Sequence, residues 1–376
     1  MTDGRAAAQP LTARALGRAL LARQHLLART GREAAEVVGH LVGLQAQAAP
    51  DPPYLGLLSR IEGFRAEDLS SLLEGRGAVR IALQRGTIHL VTAADCLALR
   101  PLFQPVLDRW IRSSYAKRLP DLDLAGPVAQ ALAPLAERAR ALVEQEPRTF
   151  QQLGALLAAD HPASEPAALA QAARCALPLV QVPPRGLWGR SGPAAHTTAE
   201  HWLGRPLDDT PSIEGLVLRY LAAFGPATAA DVQKWSGLSR LGPVLTGLAD
   251  RLVRLRDDRG RTLWDLPDAP RPDEAEPAPV RLLAPFDNLL LSHADRTRVL
   301  PEAHRPRVMT VNGIVLGTVL VDGVVAGTWR TEQGAVRVTP FAPLSRSAAA
   351  GIEEEAGRVL AFSGAPDGAV LVDPAG

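Results

Sequence analysis

At 376 residues the chain is too long for one ordinary core, and two to four domains are expected. Apolar residues make up 47% and charged residues 22%, the balance of a soluble globular protein. The formal net charge of +1 gives no global case for nucleic acid or an anionic membrane, although a neutral total can still contain a basic groove.

In chain order, residues 1–10 are polar and expected to fray. Leu16, Leu20, Leu21 and Leu27 predict a helix from Leu11 to about Arg29, broken by Thr30-Gly31. Ala34, Val38 and Leu41 then form an apolar stripe at helical spacing, and Gln45 falls next in line. Pro50 disfavours helix just before it, so the chain is expected to be extended by Gln47. Residues i and i+2 share a side on an extended backbone but not on a helix. Gln45 and Gln47 are therefore read as two amides pointing into one space from a helix end. The ordinary alternative is that they are solvated or cap loose carbonyls.

Asp51 is the expected N-cap of a helix opened by Pro52 and Pro53, with Tyr54, Leu57, Leu58 and Ile61 on its apolar face. A short helix from Ala66 to Glu74 stops at Gly75. Arg80–Arg85 and Thr87–Val91 read as strands around Gly86, and Thr92 with Asp95 resembles a capping box. Helices followed by a two-stranded ribbon suggest a winged helix. The pattern recurs with helices at Thr149–Leu157 and Glu165–Leu177 and a hairpin from Leu179–Val182 to Leu187–Arg190. It recurs again with helices at Ile213–Phe224, Ala229–Trp235 and Leu238–Asp250, then strands Leu252–Leu255 and Thr262–Leu266. A linker, Pro267–Pro279, leads to strands at Val280–Leu283, Gly313–Val321, Val324–Trp329 and Ala335–Pro340, a helix over 345–362 and a last short strand.

The expected fold is α+β: three tandem winged-helix units plus a C-terminal β-rich domain. The boundaries are 1–135, 136–210, 211–272 and 280–376. The basic residues are nearly all arginine, Lys117 and Lys234 being the lysines, which reflects a GC-rich coding bias before it reflects phosphate binding. Cys96 and Cys175 stand far apart without a Cys-x-x-Cys or a nearby His pair, so neither a disulfide framework, a metal site nor a cofactor is expected. No signal peptide opens the chain and no apolar run reaches the ~18 residues of a membrane span. A cytoplasmic protein without membrane contact is expected.

Three separated blocks resemble one family. They are Leu41–Gln47 with Pro52-Pro53-Tyr54, then Arg85–Val91, then Pro285–Arg296 followed by Asn312-Gly313 and Gly327–Arg330. Together they are similar to the AlkZ/YcaQ family of winged-helix DNA glycosylases. The resemblance implies a C-shaped, DNA-sized channel and hydrolysis of the N-glycosidic bond of alkylated purines, interstrand crosslinks included. It makes Gln45 and Gln47 the catalytic pair and places the chain in the Gln-x-Gln branch, which includes self-resistance enzymes of antibiotic producers. The implied partner is double-stranded DNA, bound by a monomer.

Gln cannot titrate, so it is no base in the usual sense. Its carbonyl oxygen can orient a water and set partial negative charge beside a cationic sugar, and such placed dipoles contribute roughly 3 kcal/mol each. An N7-alkylated purine is already cationic and leaves readily, so two amides suffice for it and serve an intact base poorly. Aromatic residues are only 4%, which favours attack without full extrusion of the base. Arg85, His89, His293 and Arg296 are candidate DNA contacts; the alternative for His89 is a satisfied strand histidine, and for His293 and Arg296 a hydrogen-bonded turn before a strand. Arg109 and Arg112, with Lys117 and Arg118, form the densest basic cluster and are candidate phosphate contacts. Asp287, Asn288 and Asp295 read as part of a hydrogen-bonded turn, and Glu353-Glu354-Glu355 as a solvated helix face. Two rivals stand beside the enzyme: a non-catalytic winged-helix transcriptional regulator, and a protein that binds an alkylating drug directly.

Overall fold

The computed structural model describes residues 9–47 and 51–375. Most of the expected polar start, and Pro50, lie outside the described residues. The chain is a mixed α+β structure whose strands form sheets of six, five and two strands. Among the described residues no helix is long and apolar enough to cross a membrane.

The first helix is Ala13–Arg23, with the Thr12 hydroxyl accepting from the Ala15 N–H at its start. The second, Ala34–His40, ends earlier than the apolar stripe implies. Val42 and Gly43 both take left-handed backbone (φ 54° and 94°), and their N–H groups bond back to Gly39 and Val38. That is a Schellman closure, and a β-branched residue in this region is strained. Gly43 has no substitute here, because a Cβ would lie 2.6 Å from Val91 Cγ1 and 2.9 Å from the Leu90 carbonyl.

Gln45 therefore sits not at a helix end but on a short strand, β1 (Leu44–Gln45). The next helix, Asp51–Leu58, includes Asp51 in its first turn; the capping position before it lies outside the described residues. The helix Ala66–Glu74 ends at Gly75 as expected, and the ribbon follows as β2 (Ala78–Ala82) and β3 (Ile88–Thr92). β1 pairs with β3, setting Gln45 opposite His89 and Leu44 opposite Leu90.

Periodicity did not delimit the helices Gln104–Tyr115 and Val128–Gln145 that follow. β4 (Arg148–Thr149) precedes the helices Phe150–Leu157 and Pro166–Ala176, and β5 (Leu179–Gln181) comes next. The partner of β5 is β6 (Ala195–Thr198), not Leu187–Arg190. Gly186 and Gly189 both have positive φ, and the Trp188 N–H is spent on the Tyr54 hydroxyl, so that stretch is a turn. β2 also pairs with β5, which fuses the first two ribbons into one sheet ordered β1-β3-β2-β5-β6-β4.

The third set of helices, Ile213–Phe224, Ala229–Ser236 and Leu241–Gly247, carries the two-stranded ribbon β7 (Val253–Arg256) and β8 (Thr262–Asp265). The C-terminal sheet has β9 (Arg281–Leu283), β10 (Gly317–Val321), β11 (Val324–Glu332), β12 (Ala335–Pro340) and β13 (Val370–Val372), in the order β13-β12-β11-β10-β9. Helix Arg346–Phe362 packs on it through Ile352, Ala356, Val359 and Leu360. Glu355 on that helix is not solvated: it is buried, and both carboxylate oxygens accept from Arg29 at 2.7 Å. Glu353 and Glu354 are exposed, as expected.

The parts are tied by buried charge as well as by apolar packing. Arg60 and Asp287 are fully buried and form two parallel bonds of 2.8 Å. Arg23 pairs in the same way with Asp265 on β8, at 2.6 and 2.9 Å. Asp287 also accepts from the Leu289 N–H, capping the short helix Asn288–Leu291. Removing one member of such a pair strands the other charge in the core, which costs about 3–5 kcal/mol. Asp287→Ala is accordingly expected to lower stability by about that much, read as a shift in the denaturation midpoint. The double variant Arg60→Met, Asp287→Leu should lose far less. A single variant as stable as wild type would contradict the clamp.

Candidate functional site

The backbone from Val42 to Gln47 is held at nearly every polar group. Gln84 Nε2 donates to the Val42 carbonyl at 2.9 Å and Asn288 Nδ2 to the Gly43 carbonyl at 2.7 Å. The Gln45 N–H points at Asn288 Oδ1, 3.4 Å away. The Ala46 N–H bonds to the Ile88 carbonyl at 2.8 Å, and the Ala46 carbonyl accepts from buried Arg80 at 2.8 Å. The first and third blocks of the sequence thus touch: Asn288 reads the backbone of the Gly43–Gln45 stretch.

Both amides lie against the Arg85–His89 segment. Gln45, 7% exposed, accepts through Oε1 from Arg85 Nη2 at 2.6 Å. Gln47 is exposed, and its Oε1 faces the Ile88 N–H at 3.4 Å. Each amide oxygen meets a different part of that segment, and the two amides differ in surroundings. Gln45 is packed and engaged by a cation, whereas Gln47 is open.

Arg85 occupies left-handed backbone (φ 55°) beside Gly86 (φ 71°) in the turn between β2 and β3. That turn is covered by the third set of helices. Gly237 packs on it so closely that a Cβ would come within 3.1 Å of Arg85 Cα. Arg85 Nη1 donates to the Trp235 carbonyl, and Nη2 also lies 3.5 Å from His89 Nε2. Protein packed around the guanidinium, and then Arg296, push its pKa down to about 10, so Arg85 stays charged at neutral pH. His89 is buried, and burial followed by the Arg85 charge takes it down to about 3. It is neutral at physiological pH. Its Nδ1–H donates to the Thr87 carbonyl at 3.1 Å, leaving Nε2 as an acceptor toward Arg85.

The surrounding charge is one-sided. Arg296, partly exposed, is lowered by burial and by Arg305; exposed Lys234 is lowered by burial, then by Arg296, Arg85 and Arg305. Arg85, Arg296 and Lys234 form no ion pair with a carboxylate among the described residues, and Arg305 shares Glu302 at 2.9 Å. Arg296 and Lys234, which neighbouring cations depress and of which Glu302 offsets only Arg296, can meet an anion such as a phosphate. Beside Arg305 and Arg307 the turn from Met309 to Val315 projects with Val311 fully exposed.

The other candidates separate. His293 is buried, its Nε2–H donating to the Phe224 carbonyl at 3.1 Å and its Nδ1 accepting from the Ser292 hydroxyl at 2.9 Å. With both nitrogens engaged it has none free to offer DNA. Arg109 reaches the Gly237 carbonyl and so stands near the Arg85 turn, while Arg112 closes its own loop on the Leu124 and Gly126 carbonyls. Arg118 is paired with Glu165. Asp295 is spent on Thr297 and on Arg259 and Arg261. Lys234 and Arg305 carried no motif. The sole hint was that Lys234 is one of two lysines in an arginine-rich chain.

A family model described as DNA glycosylase AlkZ-like matches residues 38–362. The interstrand DNA cross-link repair glycosylase of Streptomyces sahachiroi is 25% identical over 361 residues, covering 91% of this chain and 94% of that relative. The solved structure of the Streptomyces sahachiroi DNA glycosylase AlkZ aligns with a TM-score of 0.80 at 22% identity, over 97% of this chain and all of that one, a likeness of fold.

Buried neutral histidines give the protein an acid limit. Unfolded, each imidazole takes up a proton below about 6.5; folded, His89 does so only at about 3 and His196 at about 4. The unfolded state binds more protons in that window, so stability should fall as pH drops from 6.5 toward 4. Thermal melts across that range should show the decline, and His196→Gln should make it shallower. An unchanged slope in that variant would remove His196 from the account.

Proposed function

The chain belongs to the AlkZ-like DNA glycosylase family, and from that we propose that it hydrolyses the N-glycosidic bond of N7-alkylated purines in duplex DNA, interstrand crosslinks included. Gln45 and Gln47 hold the attacking water. Water adds at C1′, the C1′–N9 bond breaks with its electron pair moving into the purine, and the cationic base departs neutral. The water's second proton passes to solvent. No residue need protonate the leaving group, which accords with a site built of two amides, a permanently charged arginine and a neutral histidine.

The observation that carries this reading is the convergence of both amides on the Arg85–His89 segment, next to cations without carboxylate partners. Those cations suit phosphates on either side of a lesion. The proposal includes action as a monomer on double-stranded DNA and protection of a producer against its own DNA-alkylating product. It also includes the division at 1–135, 136–210, 211–272 and 280–376, in which the first two parts share one sheet.

Purified protein and a Gln45→Ala, Gln47→Ala variant should be incubated with a duplex containing a single N7-alkylguanine, with abasic sites read as strand breaks after alkali. Wild type is expected to release the base, and the variant to bind the duplex while releasing it at least about a hundredfold more slowly. Base release by the variant at the wild-type rate would move the chemistry elsewhere.

A further inference from the structure

We infer that Arg85 and His89 are positioning residues that turn the Gln45 amide so that its NH2 group donates to the attacking water while the Gln47 carbonyl oxygen accepts a hydrogen bond from it. The inference rests on the glycosylase reading above and divides the labour within the pair.

A guanidinium carries only donors, so the Gln45 atom 2.6 Å from Arg85 Nη2 must be the carbonyl oxygen. Flipping the amide would set NH2 against N–H and lose a charge-assisted bond. Arg85 is itself fixed from several sides. The Trp235 carbonyl takes Nη1, His89 Nε2 faces Nη2, and the left-handed turn is packed under Gly237. His89 can face Arg85 as an acceptor only because its own proton sits on Nδ1, bonded to the Thr87 carbonyl. Its burial keeps it in that neutral form.

What Gln45 has left is its NH2, which makes no hydrogen bond among the described residues. With a cation on its oxygen, Gln45 is a poor site of negative charge and a strengthened donor. Gln47 is the reverse: it is exposed, and among the described residues its Oε1 has only the long 3.4 Å approach of the Ile88 N–H. One hydrogen bond donated to the water oxygen and one accepted from its O–H leave a lone pair to aim at C1′, and the released proton passes to solvent. This differs from two equivalent carbonyls, and it reassigns Arg85 and His89 from DNA contact to alignment.

The test uses the full chain and single-turnover base release from a duplex with one N7-alkylguanine. Gln45→Glu keeps the partner for Arg85 but deletes the donor, and is expected to lose about a hundredfold in rate. Gln47→Glu keeps an acceptor and should stay within about tenfold of wild type. Arg85→Met should slow release without changing duplex affinity or its salt dependence, and Arg85→Lys should recover part of the rate. Equal losses in the two Glu variants overturn the division of labour. A salt slope reduced by about one phosphate's worth in Arg85→Met makes Arg85 a DNA contact and overturns the positioning role. Wild type that binds the lesion duplex yet releases no base sinks the underlying glycosylase reading, an outcome distinct from either.

Discussion

The buried Arg60–Asp287 pair is the constraint on which the site depends. Asp287 caps the helix that begins with Asn288, and Asn288 in turn grips the Gly43 carbonyl and faces the Gln45 N–H. A residue 243 positions downstream thereby fixes the strand that carries the amides. Arg60 is further steadied by Gln24, whose own amide reaches the Ala223 carbonyl at 2.6 Å, so the third set of helices joins the same network. Buried ion pairs are weak arguments for net stability. Here the pair does something apolar packing cannot, because two bonds in a fixed plane set the rotation of the segment that follows.

Local pattern made most of the elements visible. The ribbon at β2 and β3, the third helical set and the C-terminal strands are present near where alternation and turn residues put them, although β2 ends at Ala82 and not at Arg85, and β10 begins at Gly317 and not at Gly313. What pattern could not show is anything set by distant contact. The helix before Gln45 stops at His40 although its stripe runs on, because Gly43 must pass under Leu90 and Val91. Leu187-Trp188 resembles a strand by composition, yet its backbone is bent by glycines and tied to Tyr54. Glu355 resembles its exposed neighbours, and it takes Arg29 and Arg281, both distant in sequence, to pair it in the interior.

The site shows the same division. Gln45 and Gln47 were legible as a pair because period-2 spacing on an extended segment is a local property. Arg85 and His89 are legible as companions through the family resemblance, but which way they face is set by packing that the sequence does not show. Both turn inward, Arg85 to Gln45 and His89 to Arg85. Lys234 carried only the hint of being one of two lysines and Arg305 none, since a lone cation acquires meaning only when folding brings other cations to it.

On the proposed reading, the weakness of two amides as catalysts is a basis for selectivity. An intact purine leaves slowly unless its ring is protonated, and neither Arg85 nor His89 beside Gln45 supplies that proton. His89 is held neutral with its one N–H committed to Thr87, and Arg85 stays charged with its donors committed to Trp235 and Gln45. Adding a titratable acid would lower the barrier for every purine and expose undamaged DNA to depurination. A site that contributes only alignment and partial charge amplifies the difference already present between an alkylated, cationic base and a neutral one. On the proposed reading, discrimination comes from what the site omits, and the rigid frame of Arg60, Asp287, Asn288 and Arg85 keeps its few dipoles aimed.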